Sequence, residues 1–407
     1  MRRVELLAPA GDMEKLKTAL HFGADAVYFA GKNYGLRAFS SNFDNSEIKE
    51  AVEYCHNRGK RCYVTLNVFA RDWDFEKLPE YLQQLVDANV DAVIVSDLGV
   101  FAFVKQYAPS LEVHISTQAN TTNKYSVRAY KELGASRVIL ARELSKEEIK
   151  KITEFNPDID IEVFVHGAMC ISYSGRCLLS NYFTGRDSNH GECVQACRWH
   201  YQIIEDSRPE QKLEISEDER GTYLLNSKDM CLIEHLDELY DAGVTSFKIE
   251  GRMKSSYYVA TVVNAYRKAL NLLYASKEKG KPFKLPKELR LELNKASHRD
   301  YTTGFFTHDG DVRQKYDSSS QKQESVFVGM IEKIEENRIL VEQRNKFEIG
   351  DTLELLSPSI RHGEKIKIKK MEDEKGNEIT VAKDVQQKLW IYLNNTENIY
   401  AGDILRK

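Results

Sequence analysis

Over roughly the first 250 residues, short apolar runs alternate with stretches whose apolar positions recur every three or four residues. The runs are VELLAPA, DAVYFAG, RCYVTLNVFA, DAVIVSD, LEVHISTQ, SRVILAREL, IEVFVHG and TSFKIEGR. Between them lie amphipathic segments such as DMEKLKTALHFG, NSEIKEAVEYCHNRG and KLPEYLQQLVDANV, several closing on glycine or asparagine as helices do. Eight strands alternating with helices predict an α/β chain closed into a parallel (β/α)8, TIM-like barrel. An open doubly wound sheet is the alternative, and the strand count favours closure.

The rhythm breaks after the seventh run. Residues 168–221 are too long for an ordinary strand-to-helix loop and read as an insert on the C-terminal face of the barrel, where active sites lie. Residues 252–300 read as helices, SSYYVATVVNAYRKALNLLYAS most clearly. Polar residues dominate 307–325, which reads as a linker. Beyond it come short alternating strands: SVFVGMIEKI, RILVEQ, DTLELLSP, EKIKIKKME, KLWIYLN and DILRK. Three segments follow: a barrel with its insert over 1–306, a linker over 307–325 and a small antiparallel β-barrel over 326–407. Two phrases of the last segment, FEIGDTL and IYAGDIL, each place a Gly-Asp turn before a strand.

Strands of a parallel barrel are buried on both faces and should be almost wholly apolar. Here polar residues recur at alternate positions near the strand ends: Thr65 with Asn67, His114 with Ser116 and Gln118, Glu162 with His166, and Lys248 with Glu250. Side chains repeat every two residues in a strand, so this set is expected in the lumen and at the C-terminal mouth. A self-satisfied buried network would need the same residues. A polar substrate pocket is the functional alternative, with Asn67, His114, Gln118, Arg142, His166, Lys248, Glu250 and Arg252 as its candidates. The two arginines suit an anion.

Composition narrows the class. The chain has 407 residues, 29% charged and 42% hydrophobic, with a formal net charge of −4. A nucleic-acid surface, if there is one, must therefore be local. No apolar run approaches the ~18 residues of a membrane span. The start, MRRVELLAPAGD, reaches Pro9 and Gly11 too early for a secretory signal. A cytoplasmic location is the expectation, and there clustered cysteines imply metal binding or catalysis rather than disulfides.

Four of the seven cysteines fall in the insert, as Cys170-x6-Cys177-x15-Cys193-x3-Cys197. Structural zinc sites favour two tight knuckles, and only the last pair here is close. Uneven spacing suits an iron–sulfur cluster, wrapped from separate turns with Gly175 and Gly191 nearby. Zinc and four unligated thiols are the other readings. Cys231 could replace Cys197 as a ligand, although its helix-start position suits packing. Cys55 and Cys62 read as core residues.

The insert also interleaves Arg176, Arg186 and Arg198 with Tyr173, Tyr182, Phe183 and Trp199, a combination able to grip a single-stranded RNA loop or to pack the insert itself. No HExxH, G-x-S-x-G, P-loop or dinucleotide fingerprint occurs. The turn APAGD offers Asp12 as a helix cap and a weak anion site.

EVFVHGAMCISYSGRCLLS, through Glu162, Phe164, Gly167, Ala168, Cys170, Gly175, Cys177 and Ser180, resembles the signature of the peptidase U-32 family. LLAPAGD, GADAVYFAG, STQANTTN, NHGECVQACRW, SFKIEGRMKS and YTTGF extend the resemblance over most of 1–306, and the small C-terminal barrel resembles the family's longer branch. The family name implies a peptidase of unknown catalytic type, collagenase-like in some members. Better-defined members imply iron–sulfur proteins of oxygen-independent hydroxylation. The branch most similar to this chain implies formation of 5-hydroxyuridine at the tRNA wobble position. From the resemblance follow a 4Fe–4S cluster on Cys170, Cys177, Cys193 and Cys197, prephenate as co-substrate, the tRNA anticodon loop as partner, and a packing role for Cys231. A peptidase, or a non-catalytic subunit pairing with a paralogue, are the alternative functions.

Overall fold

The computed structural model describes residues 2–32, 34, 42–170, 172–199, 217–218, 221–222, 228–307 and 322–407. All eight apolar runs form strands. They are β1 (Glu5–Pro9), β2 (Ala26–Phe29), β3 (Arg61–Leu66), β4 (Ala92–Val95), β5 (Glu112–Ile115), β6 (Arg137–Ile139) and β7 (Asp160–Ala168); then, past a short β8 (Asp229–Cys231), comes β9 (Ser246–Ile249). Neighbours pair in parallel in chain order, and β9 hydrogen-bonds both β7 and β1, which closes the barrel. β8 runs antiparallel to the last residues of β7.

Helices α1 (Met13–His21), α2 (Asn45–His56), α3 (Leu78–Asp87), α4 (Leu98–Tyr107), α5 (Lys124–Glu132) and α6 (Lys146–Phe155) fill the crossovers. Five of the six starts are fixed by side chains that accept orphan backbone N–H groups: Asp12, Asp97 and Asn123, with reciprocal capping boxes at Asp44–Glu47 and Ser145–Glu148, while α3 starts without a side-chain cap and carries Pro79 in its first turn. The insert carries a short α7 (Leu179–Thr184), and α8 (Leu236–Asp241) precedes β9. The long α9 (Ser256–Glu278) packs most of its length against the barrel, and α10 (Lys287–Glu292) follows.

One irregularity matters for the site. Lys248 pairs with Phe164, but the next residue, Ile249, pairs with His166, so Val165 is an extra residue in β7. Such a bulge turns the following side chains to the other face. Gly167 stands just beyond it at φ +112, where a Cβ would lie 2.7 Å from the Glu250 carbonyl oxygen, so a side chain is excluded on two counts.

The C-terminal segment forms an eight-stranded antiparallel half-barrel around its own core of Val328, Ile331, Ile339, Val341 and Leu389. Both Gly-Asp turns work alike: Asp351 accepts from Glu348 N and Asp403 from Tyr400 N, at 3.0 and 2.9 Å. The half-barrel is seated on the α1, α9 and α10 side. Leu356 and Ile404 join the barrel core, Tyr257 stacks on Phe327, and fully buried Arg406 is held by Glu292 and Glu354. Of the linker expected over 307–325, residues 308–321 lie outside the described residues. Among the described residues, no helix is long and apolar enough to cross a membrane.

Candidate active site

Cross-barrel contacts show which side chains occupy the lumen. Near its N-terminal end, Arg137 of β6 binds Glu5 of β1 and, at 3.0 Å, Glu162 of β7, while Tyr63 donates to Glu5 at 2.6 Å. Glu162 also accepts from Lys248 Nζ at 2.9 Å and Ser246 Oγ at 3.1 Å. Burial would raise the Glu162 carboxyl, but Lys248 and Arg137 together hold it down at about 2. Burial pulls Lys248 below the usual lysine range, against Glu162. Two cations facing Glu162 favour its charged form. His114 lies in this lower layer, its ring 4.7 Å from that of Tyr63. Burial pushes its pKa down, against a contact with Glu112.

Above this plug the lumen opens into a mouth. Lys248 Nζ stands 4.3 Å from the centre of the Tyr28 ring, and the Arg142 guanidinium lies 3.8 Å over Phe164. Arg252 donates to Thr65 Oγ1 at 3.2 Å, and Asn67 Nδ2 to Gln118 Oε1 at 2.7 Å. Burial, then Glu250, raise the Tyr28 phenol well above its ordinary value, while Arg252 and Arg142 oppose them. Tyr28, Glu250, Arg252 and Arg142 thus converge at one end of the barrel. The APAGD turn closes under them: a Cβ on Gly11 would sit 2.4 Å from the Arg252 carbonyl oxygen. Asp12 there caps α1 and pairs with Lys15 at 2.9 Å.

His166 departs from the lumen reading. The bulge points it outward, where Tyr258, Tyr266 and Tyr301 surround it and Tyr266 Oη lies 3.3 Å from Nδ1. Burial, and then Arg290 nearby, lower its pKa to about 3. Cys231 occupies the same outer layer, buried and 3.9 Å from Tyr266 Oη. The candidates therefore divide three ways: Asn67, Gln118, Arg142, Glu250 and Arg252 at the mouth, Lys248 and His114 in the lumen beneath, and His166 behind the wall. Tyr28 joins the mouth unforeseen. AVYF reads as a plain apolar strand, and only the phase it shares with Tyr63 and Lys248 across the sheet marks it.

The insert is folded down over this mouth. Arg176 Nε donates to the Gln118 carbonyl at 3.0 Å, Arg142 Nη1 to the Ala168 carbonyl at 2.6 Å, and Ser174 Oγ to Glu143 at 2.5 Å. Asn189 ties Phe69 N to the Cys177 backbone. Four separate turns present the thiols. Cys170 is exposed and Cys177, Cys193 and Cys197 are half-buried. Donors are aimed at the sulfurs: the Ser172 N–H at Cys170, the Leu179 N–H at Cys177 (3.4 Å) and Ser180 Oγ at Cys193 (3.8 Å). The first two share one geometry, an N–H two residues on. Such donors stabilise thiolate charge, which any metal on these sulfurs requires. Although Cys170 is exposed as a residue, the protein crowding its sulfur raises the thiol, and Cys177 and Cys193 are near enough to add to the effect. Thiols so supported can bind metal as thiolates.

The outer face of the insert is aromatic. Tyr182 is 82% exposed, with Phe183 edge-on to it and Trp199 beyond. The side chain of Arg198 lies outside the described residues.

Comparison with known proteins places this arrangement. The model of Peptidase family U32 matches residues 11–315, and that of the Peptidase family U32 C-terminal domain matches 323–406. The chain belongs to peptidase family U32. Within that family it is 42% identical to tRNA hydroxylation protein P1 of Bacillus subtilis (strain 168), over 100% of this chain and 95% of the relative. It is 36% identical to tRNA hydroxylation protein P of Escherichia coli (strain K12), over 96% and 94%. The 23S rRNA 5-hydroxycytidine C2501 synthase of Escherichia coli (strain K12) is 38% identical over 67% of this chain and 40% of its own length.

Proposed function

We propose that this U32 chain is an RNA-hydroxylating enzyme, and that it converts the wobble uridine of tRNA to 5-hydroxyuridine without molecular oxygen. The observation that carries the reading is the joint placement of four thiols over a polar, arginine-bearing barrel mouth, in a chain similar along its whole length to tRNA hydroxylation proteins. Cys170, Cys177, Cys193 and Cys197 would hold a 4Fe–4S cluster, which when bound supplies electron transfer or a Lewis-acidic iron beside the mouth.

The chain's own residues account for the rest. Arg142 and Arg252 suit the two carboxylates of prephenate, the proposed co-substrate. Their guanidinium planes are pre-set, one on Phe164 and one on Thr65. A phenol held protonated at Tyr28 can donate a hydrogen bond without competing as an anion. Glu250 supplies the carboxylate for proton transfer at the base. A uridine must leave the anticodon-loop stack to reach the mouth, and Tyr182, Phe183 and Trp199 offer aromatic faces on which neighbouring bases can stack.

The test is nucleoside mass spectrometry of tRNA from cells lacking the gene and complemented with it. Wild type should restore 5-hydroxyuridine derivatives and Cys193→Ala should not. Unmodified tRNA after wild-type complementation overturns the reading. Cleavage of a collagen-type substrate by homogeneous protein would favour a peptidase instead.

A further inference from the structure

At the N-terminal rim of the barrel, the end opposite the mouth, a second set of donor side chains meets. Cys55 and His56 end α2, Cys62 is the second residue of β3, and Asp91 directly precedes β4. Asp91 Oδ2 lies 3.1 Å from His56 Nε2 and 3.6 Å from Cys62 Sγ, and the three ligand atoms all fall within 4.8 Å of one another. Cys55, also fully buried at this rim, is not among those three. Tetrahedral zinc, with bonds of about 2.0–2.2 Å to nitrogen and oxygen and about 2.3 Å to sulfur, sets its ligand atoms roughly 3.3–3.8 Å apart. The two separations to Asp91 Oδ2, 3.1 and 3.6 Å, are close to that pattern before any metal is considered.

We propose that His56, Cys62 and Asp91 bind a zinc ion, distinct from the cysteine insert. A thiol, an imidazole and a carboxylate select zinc over magnesium or calcium, which take oxygen ligands. The Cys62 thiol is fully buried while His56 and Asp91 are partly exposed, so an ion has a path in and a dry floor to rest on. The Cys62 N–H donates to Asp91 Oδ2 at 2.8 Å and orients that carboxylate. On binding, the Cys62 S–H bond releases its proton to solvent as a sulfur–zinc bond forms, and no electron is transferred. One thiolate and one carboxylate balance the charge of Zn2+, and the Arg61 guanidinium stands 3.8 Å from Asp91 Oδ1 on the outer side. The ion would pin the turn between α2 and β3 to the entry of β4. In the alternative arrangement Cys62 is simply a core residue and His56–Asp91 is a surface ion pair.

The two arrangements separate by elemental analysis. Full-length protein, made anaerobically without a histidine tag, is equilibrated with zinc, dialysed and assayed for zinc and iron. About one zinc per chain is expected beside the iron, with zinc binding weakened in His56→Ala by more than the ~10–100-fold of outer-sphere changes and iron unaltered. His56 is partly exposed at a helix end, so this variant keeps the fold, and Cys62→Ser serves as the buried counterpart. Zinc-free wild type overturns the proposal. So does zinc that persists unchanged in His56→Ala, which would place it on the insert.

Discussion

Lys248 Nζ meets Glu162 Oε1 at 2.9 Å in the middle of the barrel, and neither side chain is more than 4% exposed. The pair forms the floor of the mouth, since Lys248 also faces the Tyr28 ring. Removing Lys248 leaves the buried Glu162 charge to Arg137 alone and strips a hydrogen bond, at a cost approaching the about 3–5 kcal/mol of a broken buried pair. Lys248→Met should therefore lower the thermal midpoint sharply. Lys248→Met with Glu162→Gln should recover part of the loss, because Arg137 still has Glu5. A double-mutant cycle read by thermal unfolding checks the coupling.

His166 predicts a pH dependence. Its folded pKa is lowered to about 3 from an ordinary 6.5, so the unfolded chain binds the proton first as the pH falls. Its share of stability is complete above pH 6.5 and declines steadily toward pH 3. Replacing it with glutamine removes the titrating group. Stability measured between pH 4.5 and 7 should have a shallower slope in His166→Gln than in wild type, and an identical slope would contradict the burial argument.

How much of this was legible beforehand differs by residue. All eight barrel strands follow from apolar runs and their spacing, because burial on both faces leaves little choice of composition; in the half-barrel the six runs mark most strands, but EKIKIKKME covers two, Lys365–Lys367 and Met371–Asp373, and Glu378–Ile379 falls in none. Glu162 and Lys248 were placed in the lumen by simple alternation. Alternation failed one step later at His166, because the extra Val165 reverses the phase and nothing in EVFVHG announces a bulge except the glycine that follows. Arg137 and Glu5 were missed for another reason: they meet across the barrel, 132 residues apart, and each alone reads as a strand-end charge. Cys55 and Cys62 are core residues, as their runs predict, and only the fold brings His56 and Asp91 to the same rim.

At the mouth, Arg142 tests anion recognition. Its guanidinium lies flat on Phe164 and spends one N–H on the Ala168 carbonyl, which leaves the fork pre-oriented. A lysine keeps the charge but loses the plane. Losing a charge-assisted hydrogen bond of about 1.5–3 kcal/mol corresponds to roughly 10–150-fold. Arg142→Lys should need correspondingly more prephenate for half-maximal hydroxylation in a reconstituted assay, with tRNA affinity unchanged. An unaltered prephenate response would remove Arg142 from the anion site.

Tyr182 separates RNA contact from packing of the insert. It is 82% exposed and touches Phe183 edge-on, so its truncation removes little buried surface, and the cysteine turns behind it keep their own hydrogen bonds. Stacking of a base on an aromatic ring contributes about 1–3 kcal/mol, or roughly 5–150-fold in affinity. Tyr182→Ala should therefore weaken binding of an anticodon stem-loop by that factor while iron content and thermal midpoint stay at wild-type values. Lost iron would instead mean that Tyr182 packs the insert. Since a ring stacks on bases in a way that phosphate contacts do not, Tyr182→Phe should bind like wild type. The salt dependence of binding should also have the same slope in Tyr182→Ala as in wild type, because no phosphate contact has been removed.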